Sequence, residues 1–168
     1  MSGTVGAHGV RWGVIDGALF GADQPCFGCS PTHPHGFRLR FERDGDSVVT
    51  KFTPGPLHQG PPGIMHGGLV ATLADEVGAW TVVLLREKFG FTAEVAGKLL
   101  RPIRVGAEVV GRGRVVREAR RVLRVGVELA QGGTPAFTGE LAFVLLDRGA
   151  AEKMLGGPIP DAWLPFCR

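Results

Sequence analysis

The sequence has few cysteines and no tyrosine, and it lacks the motifs of several large enzyme classes. Three cysteines in 168 residues, an odd number, argue against the disulfide framework of a small secreted protein. No G-x-G-x-x-G or P-loop pattern is present for a nucleotide cofactor, and no G-x-S-x-G pattern for a serine hydrolase. No N-terminal basic segment precedes an apolar one, and no charge-free apolar run is long enough to cross a bilayer. We therefore expect a cytoplasmic protein with no membrane partner.

Composition and length fit one folded domain. Hydrophobic residues make up 44% of the chain and charged residues 21%, which is ordinary for a globular protein. The formal charge of +3 is too small to predict a nucleic-acid partner. No linker or internal repeat divides the chain. We predict a loose N-terminal arm over residues 1–24, one domain over 25–147 and an irregular tail over 148–168.

Hydrophobic periodicity predicts two strands, one long helix and four further strands. Apolar and charged residues alternate over 37–43, a hairpin turn follows at Asp44-Gly45, and a second strand covers 47–53. Four prolines and three glycines make residues 54–65 a loop. The helix is predicted over 68–88 and the later strands over 92–100, 107–116, 122–131 and 136–146. This order predicts an α+β fold, with a mostly antiparallel sheet around a single helix.

The predicted helix carries two acids in an apolar surface. Its main stripe and its far side are both apolar, so we expect burial on both sides, with a second subunit covering one of them. Asp75 lies on the far side among small apolar residues, where an unpaired carboxylate would cost several kcal/mol. We favour a functional carboxylate over a solvent-facing or structurally paired one. Glu76 lies nearer the main stripe, and we interpret it as structural.

His66-Gly67-Gly68 stands where the loop becomes the helix. Free backbone N–H groups at a helix N-terminus can bind an anion or the oxygen of a tetrahedral intermediate. A plain glycine-rich turn explains the same three residues equally well. Asp75 follows nine residues after His66, so it cannot reach its own helix N-terminus. If the two act together, they belong to different subunits.

The stretch "GIMHGGLVATLADEVG" with its proline-rich lead-in resembles the helix motif of hotdog-fold acyl-CoA thioesterases, in particular the PaaI-type branch related to the 4-hydroxybenzoyl-CoA thioesterases. "CFGCSPTHPHGFRLRF" and "GKLLRPIRVG" resemble the flanking blocks of the same family. The resemblance spans about residues 25–147. It implies a hotdog fold and a homodimer or homotetramer with active sites between subunits. The implied substrate is an acyl-CoA or acyl-carrier thioester.

The resemblance also implies roles for four residues. Asp75 would attack the thioester or activate water, and Gly67 would donate its N–H to the oxyanion. His66 would position the thioester or the leaving thiol, and Thr92 would help to hold the attacking water. No further cofactor is expected, since coenzyme A is part of the substrate. Certain relatives carry an asparagine where this chain has Gly60, and we consider the neighbouring Gln59 and His58 as substitutes.

Other groupings leave alternatives open. Cys26-x-x-Cys29 with His33 and His35 invites a zinc interpretation, but the two pairs are too close in sequence for a typical site. A redox Cys-x-x-Cys lacks its usual βαβ setting, so we predict a packed loop and no metal. Several arginines of the second half could hold coenzyme A phosphates; these are Arg101, Arg104, Arg112, Arg114, Arg117, Arg120, Arg121 and Arg124. The alternatives to a thioesterase are a non-catalytic acyl-CoA-binding protein and a hotdog hydratase or dehydratase.

Overall fold

A computed structural model describes residues 4–5 and 11–168 of the chain. The elements are β1 (Thr4–Val5), β2 (Arg11–Trp12), β3 (Phe41–Asp44), β4 (Ser47–Phe52), α1 (Gly67–Arg86), β5 (Gly90–Leu99), β6 (Val109–Ala119), β7 (Val122–Gln131), β8 (Thr134–Leu145) and α2 (Arg148–Leu155). The long helix α1 packs against a six-stranded antiparallel sheet with the strand order β3-β4-β6-β7-β8-β5, and β1 and β2 form a separate short pair. This arrangement confirms the predicted α+β architecture.

The first predicted strand begins later than the alternation suggests. Phe37, Leu39 and Phe41 are all buried, as their spacing predicts, but only Phe41 lies in β3. Arg38 adopts a left-handed backbone with φ of 54°, which breaks the extended conformation before the strand can start. The hairpin turn then follows one residue after the predicted position, at Gly45 and Asp46, with a positive φ at Gly45.

Helix α1 has clear capping signals at both ends. His66 is the N-cap residue, and its Nδ1 accepts a hydrogen bond from the Gly68 N–H at 3.0 Å. Glu87 ends the helix in the left-handed conformation, with its N–H bonded to the Val83 carbonyl. The helix therefore begins one residue before the predicted start and ends two residues before the predicted end.

Glycines let α1 lie very close to the sheet. In β6, a Cβ atom added to Gly111 would lie 2.7 Å from the Val77 side chain, and one added to Gly113 would lie 2.1 Å from Thr81 Oγ1. On the helix, a Cβ at Gly78 would lie 2.7 Å from the Phe143 ring. The close approach buries Leu73, Val77, Trp80 and Leu84 completely or nearly so, which matches the predicted main stripe except at the half-buried Leu69.

Both chain ends pack on the domain more firmly than predicted. Residues 148–155 of the tail form α2, and Asp161–Phe166 form a 3-10 helix, so the tail is not irregular. Within the arm, Phe20 is buried and contacts the rings of Trp163 and Phe166, which attaches the arm to the tail. Residues 1–3 and 6–10 of the predicted arm lie outside the described residues. Aromatic packing between two distant segments has no periodic signature, which is why the pattern missed it.

Helix α1 is also long and apolar enough to cross a membrane, judged by length and composition alone. In the structure the sheet packs against one side of α1, and 56% of the most apolar 18-residue stretch of the helix is buried within the protein. The core helix of a folded domain has these same properties, so the helix does not by itself indicate a membrane span.

The close contact between α1 and β6 predicts that a single added methyl group lowers the stability of the protein. We expect Gly113→Ala to lower the free energy of unfolding by about 1–3 kcal/mol, because the new Cβ must displace the buried Thr81 hydroxyl, which donates to the Val77 carbonyl. Gly157→Ala is the matched control, since nothing lies within 4 Å of a Cβ at that position. Urea unfolding of both variants measures the difference. Equal stability of the two variants would contradict the packing described here.

Candidate active site

Asp75 and Thr92 form a hydrogen-bonded pair between α1 and β5. Thr92 Oγ1 donates to Asp75 Oδ1 at 2.8 Å. Asp75 Oδ2 accepts no hydrogen bond from any residue that the structure describes. The carboxylate is half-buried, and this burial raises the pKa of Asp75 above its ordinary value, while the Thr92 hydrogen bond opposes the rise. One carboxylate oxygen is thus fixed in position while the other can reach a bound molecule.

The pair lies on the wall of a cavity of about 250 Å³ between α1, the start of β5, the arm and the tail. Most of the wall is aromatic or aliphatic, and no lysine, arginine or histidine of the described residues lines it. Its polar groups come from α1, from the start of β5 and from the segment between Gln24 and Cys29. The lining residues include Phe20, Trp80, Phe89, Phe91, Met154 and Trp163 on the apolar side. Such a mainly apolar cavity with a few convergent polar groups is typical of a small-molecule site.

Two cysteines and a second carboxylate lie beside Asp75 on the same wall. Sγ of Cys26 and Oε1 of Glu76 are hydrogen-bonded at 3.2 Å. The Cys29 N–H points at Cys26 Sγ at 3.5 Å. One ligand-type atom from each of Cys26, Cys29 and Glu76 lies within 4.8 Å of the other two. The fold therefore places Glu76 beside the two cysteines, whereas the sequence had suggested His33 and His35 as their neighbours.

The protonation of this group follows from burial and from its internal hydrogen bonds. The Cys29 thiol as a hydrogen-bond donor lowers the pKa of Cys26 to about 5, and the same contact together with burial raises the pKa of Cys29. Burial raises the pKa of Glu76 well above its ordinary value, and the Cys26 charge adds to the rise. These four acidic groups, Asp75 included, have no cationic side chain beside them on the cavity wall.

The helix N-terminus offers free backbone donors, as the sequence predicts. The His66 ring is exposed, and its Nδ1 is already used to cap the helix at Gly68. The Gly67 N–H donates to no acceptor in the described part of the chain. A groove of about 350 Å³ opens in front of Gly67 and includes Leu99 and Arg101 in its wall. The groove is mostly apolar, and Arg101 is the one charged residue among the described residues that line it.

Neither substitute considered for the missing asparagine faces the cavity. Gln59 Oε1 accepts from the Gly63 N–H and Gln59 Nε2 donates to the Pro56 carbonyl, so its side chain stabilises the loop. The His58 ring packs against Phe37 and Phe52, and its Nδ1 accepts from the Gly55 N–H. The structure brings Asp75 and Thr92 together, and it leaves His66 and Gly67 at the other end of the helix.

The sequence did not predict that Glu76 and the two cysteines line the same cavity. The available signal was Gly28 inside the Cys-x-x-Cys segment. A Cβ at this glycine would lie 2.2 Å from the Glu76 side chain, so the loop requires glycine there to make room for the carboxylate. The aromatic wall was also missed, because Phe20, Met154 and Trp163 come from segments without periodic pattern.

A family model matches the centre of the chain. Residues 62–136 match the Thioesterase superfamily, and they include the helix N-terminus, Asp75 and Thr92. This segment is 75 of the chain's 168 residues, and it is similar to the superfamily over that length. This finding confirms the predicted family and the predicted enzyme class, a thioester hydrolase. No curated protein matches the chain.

Solved structures confirm the hotdog fold. A mutant thioesterase from Pseudomonas aeruginosa is 23% identical with a TM-score of 0.59, over 65% of this chain and 81% of that one. A hypothetical thioesterase from Streptococcus pneumoniae, solved with coenzyme A, is 18% identical with a TM-score of 0.60, over 64% of this chain and 87% of that one. A thioesterase superfamily protein designated RHA08564 is 24% identical with a TM-score of 0.66, over 80% and 68% of the two chains.

The half-buried His58, in the loop before α1, predicts that the stability of the protein depends on pH. Burial lowers the pKa of His58 from its ordinary value of 6.5, and its buried Nε2 has no hydrogen-bond partner. Below about pH 6.5 His58 binds a proton in the unfolded chain but stays neutral in the folded chain. The free energy of unfolding therefore falls as the pH drops towards the lower folded-state pKa. His58→Asn keeps an acceptor near the Nδ1 position and removes the titration.

Thermal midpoints at about pH 7.5 and about pH 5.5 test this linkage. We expect a smaller loss of midpoint for His58→Asn than for the wild type over this interval. His35→Asn, which changes an exposed histidine, is the control and keeps the wild-type loss. An identical loss in all three proteins would show that His58 does not contribute to the pH dependence.

Proposed function

We propose that the chain is an acyl-CoA thioesterase that uses Asp75 as its catalytic carboxylate. The observation that carries the proposal is the half-buried Asp75 on the cavity wall, with one oxygen held by Thr92 and the other without a hydrogen-bond partner in the described part of the chain. The oxygen that is not held can attack the thioester carbon or remove a proton from water. The Thr92 hydrogen bond favours the ionised form of the carboxylate and orients it.

Two features of relatives support this substrate class. The pneumococcal hypothetical thioesterase was solved with coenzyme A, and also as variants with one aspartate or one threonine replaced by alanine. Aspartate and threonine are the two residue types that meet in the cavity of this chain. The apolar wall favours an acyl group with little polarity, and no further cofactor is required because coenzyme A enters with the substrate. We place the enzyme in the cytoplasm, where acyl-CoA is made and used.

The oxyanion donor of our proposal comes from a second subunit. Gly67 stands eight residues before Asp75, which is about 12 Å along an α-helix, so its N–H is too far from the carboxylate of its own chain. His66 next to it would contact the thioester or the leaving thiol. The half-exposed side of α1 that carries Asp75 is the side on which a second helix can lie.

Strand β5 offers the surface for this dimer. It is an edge strand of ten residues, paired only with β8, and it exposes Val95 and Leu99 at 48% and 60%. A long apolar edge is normally covered in a stable protein. Two copies of β5 can pair antiparallel about a two-fold axis at Ala96, and the bulge between Thr92 and Glu94 then sets Leu99 of one copy opposite Thr92 of the other.

This register assembles the complete site. Leu99 lies beside Gly67, since a Cβ on Gly67 would be 3.8 Å from Leu99 Cδ2, and Thr92 contacts Asp75. Pairing Leu99 with Thr92 therefore brings the N-terminus of one helix to the carboxylate of the other. Each dimer contains two such sites, related by the same axis. A homotetramer can then form by association of two dimers.

Removal of the carboxylate tests the proposed catalysis. We expect Asp75→Asn to lower kcat about 10²- to 10⁴-fold with little change in KM, because the loss affects the transition state. Thr92→Val removes one hydrogen bond to a charged group and should lower kcat about ten- to a hundredfold, while Thr92→Ser keeps the hydroxyl and most of the rate. Loss of thioester ultraviolet absorbance is the readout, because protein thiols do not contribute to it.

A panel of acetyl-, medium-chain, long-chain and aryl-CoA substrates identifies the acyl group and separates the alternatives. Binding of an acyl-CoA without turnover would indicate a binding protein. Addition of water to an enoyl-CoA would indicate a hydratase. Either result, or an unchanged kcat for Asp75→Asn, would contradict the proposed function.

A charge next to the two-fold axis tests the proposed dimer. In Val95→Lys two like charges lie diagonally across the paired strands on one face, roughly 7–8 Å apart, so we expect a shift from dimer to monomer in light scattering and loss of thioesterase activity. Val116→Lys is the matched control, since Val116 is 57% exposed on another strand, β6. It should remain dimeric and active. An active Val95→Lys monomer would contradict a site shared between subunits.

A further inference from the structure

The cysteine pair beside Asp75 has the donor set and spacing of a metal site. Two sulfur atoms and one carboxylate oxygen lie within 4.8 Å of one another. Zinc binds cysteine sulfur at about 2.3 Å and carboxylate oxygen at about 2.0–2.2 Å, so a sulfur and an oxygen ligand in a tetrahedral site lie roughly 3.5–3.7 Å apart. The 3.2 Å between Cys26 Sγ and Glu76 Oε1 is slightly shorter than this separation. Small side-chain rotations are enough to place all three atoms around one ion.

The charge of the cavity wall favours a cation at this point. Cys26, Cys29, Glu76 and Asp75 all become negative when they lose a proton, and among residues 4–5 and 11–168 no lysine, arginine or histidine lines the cavity with them. Buried anionic groups are normally paired or bound to a metal. A divalent ion would replace the protons that these groups otherwise keep, as metal binding does at thiol and carboxyl ligands.

The surrounding loop holds the three donors in place from outside. Gln24 Oε1 accepts from the Cys26 N–H at 2.9 Å, and Gln24 Nε2 approaches Cys29 Sγ at 3.8 Å. Gly28 packs directly on the Glu76 side chain, where no larger residue fits. Main-chain hydrogen bonds then fix the loop to its neighbours, with the Gly17 N–H bonded to the Cys29 carbonyl at 2.9 Å. Partners of this kind orient the ligands of metal sites.

We propose that Cys26, Cys29 and Glu76 bind one Zn²⁺ ion, with water in the fourth position facing the cavity. Thiolate ligands select zinc over magnesium or calcium, and three protein ligands with one water form an open tetrahedral site. The two cysteines bind as thiolates and Glu76 as a carboxylate, so binding releases the protons they carried. This site is additional to the proposed chemistry of Asp75, and neither depends on the other.

Metal analysis of the tag-free, reduced chain tests the proposal. The protein is purified from zinc-supplemented growth, dialysed, and its zinc content is measured by mass spectrometry, with one zinc per chain expected. The metal-free protein is then titrated with Co²⁺. Two thiolate ligands in a tetrahedral site should produce a sulfur-to-cobalt charge-transfer band and intense visible bands.

Variants identify the ligands. Cys26→Ser, Cys29→Ser and Glu76→Gln should each weaken Co²⁺ binding by more than the roughly 10- to 100-fold expected for loss of an outer partner, which Gln24→Ala represents. Cys167→Ser, at a buried free thiol elsewhere, and His33→Ala should leave the spectrum unchanged. Circular dichroism shows which variants remain folded, and Glu76→Gln is the variant that changes least in shape.

Several results would overturn the proposal. They are a reduced, folded wild type that binds neither zinc nor cobalt, a cobalt spectrum without a thiolate band, and a spectrum that survives the loss of Cys26 or Cys29. Isolation of the chain as a stable Cys26–Cys29 disulfide that reduction does not convert to a metal-binding form would also overturn it. Thioesterase assays of Asp75→Asn are read separately, so failure of the metal site leaves the proposed hydrolysis unaffected.

Discussion

The structure depends on the close contact between the central helix and the sheet that surrounds it. Glycines in β6 and in the helix remove the side chains that would hold these two layers apart. Because the layers touch, one side of α1 is fully buried by its own chain. The opposite side, which carries Asp75, is only half-buried and faces the cavity and the edge of β5. Packing on one side thus decides where the acidic residues are presented.

The position of the carboxylates explains their chemistry. Burial raises the pKa of Asp75, and the Thr92 hydroxyl opposes that rise by stabilising the ionised form. A carboxylate in such a place is a stronger base than one in water, and it stands next to an apolar cavity suited to an acyl group. The polar backbone groups needed for the oxyanion lie at the far end of the same helix. This separation is the physical reason that we propose a site made by two copies of the chain.

Much of this arrangement could be predicted from the sequence. The period of the helix and the strands predicted the α+β fold, and the position of Asp75 among small apolar residues on the far side of the helix indicated the candidate site. The predicted start of β3 was wrong because Arg38 adopts a left-handed backbone conformation, which the alternation of apolar and charged residues does not reveal. The prediction of an irregular tail was wrong because the folding of the tail depends on ring contacts between Phe20 and Trp163, which are 143 residues apart. Such contacts exist only after the chain has folded.

The grouping of Cys26, Cys29 and Glu76 shows the same limit at a finer scale. Local spacing paired the cysteines with the nearby histidines, whereas the fold brings in a helix residue 50 positions away from Cys26. The glycine between the cysteines was the single local sign of that contact. A short-range motif therefore identified two of the three residues, and long-range packing identified the third.

Mixed dimers give the most direct test of a shared site built from Asp75 and Gly67. Gly67→Pro removes the backbone donor with little strain, because proline suits the first helical position and His66 before it is already extended. Asp75→Asn and Gly67→Pro should each be nearly inactive alone. Random reassociation of an equal mixture should restore about a quarter of the wild-type activity, since half of the dimers then contain one intact site. No recovery, despite hybrid dimers detected by native mass spectrometry, would contradict a site that takes its carboxylate from one subunit and its backbone donor from the other.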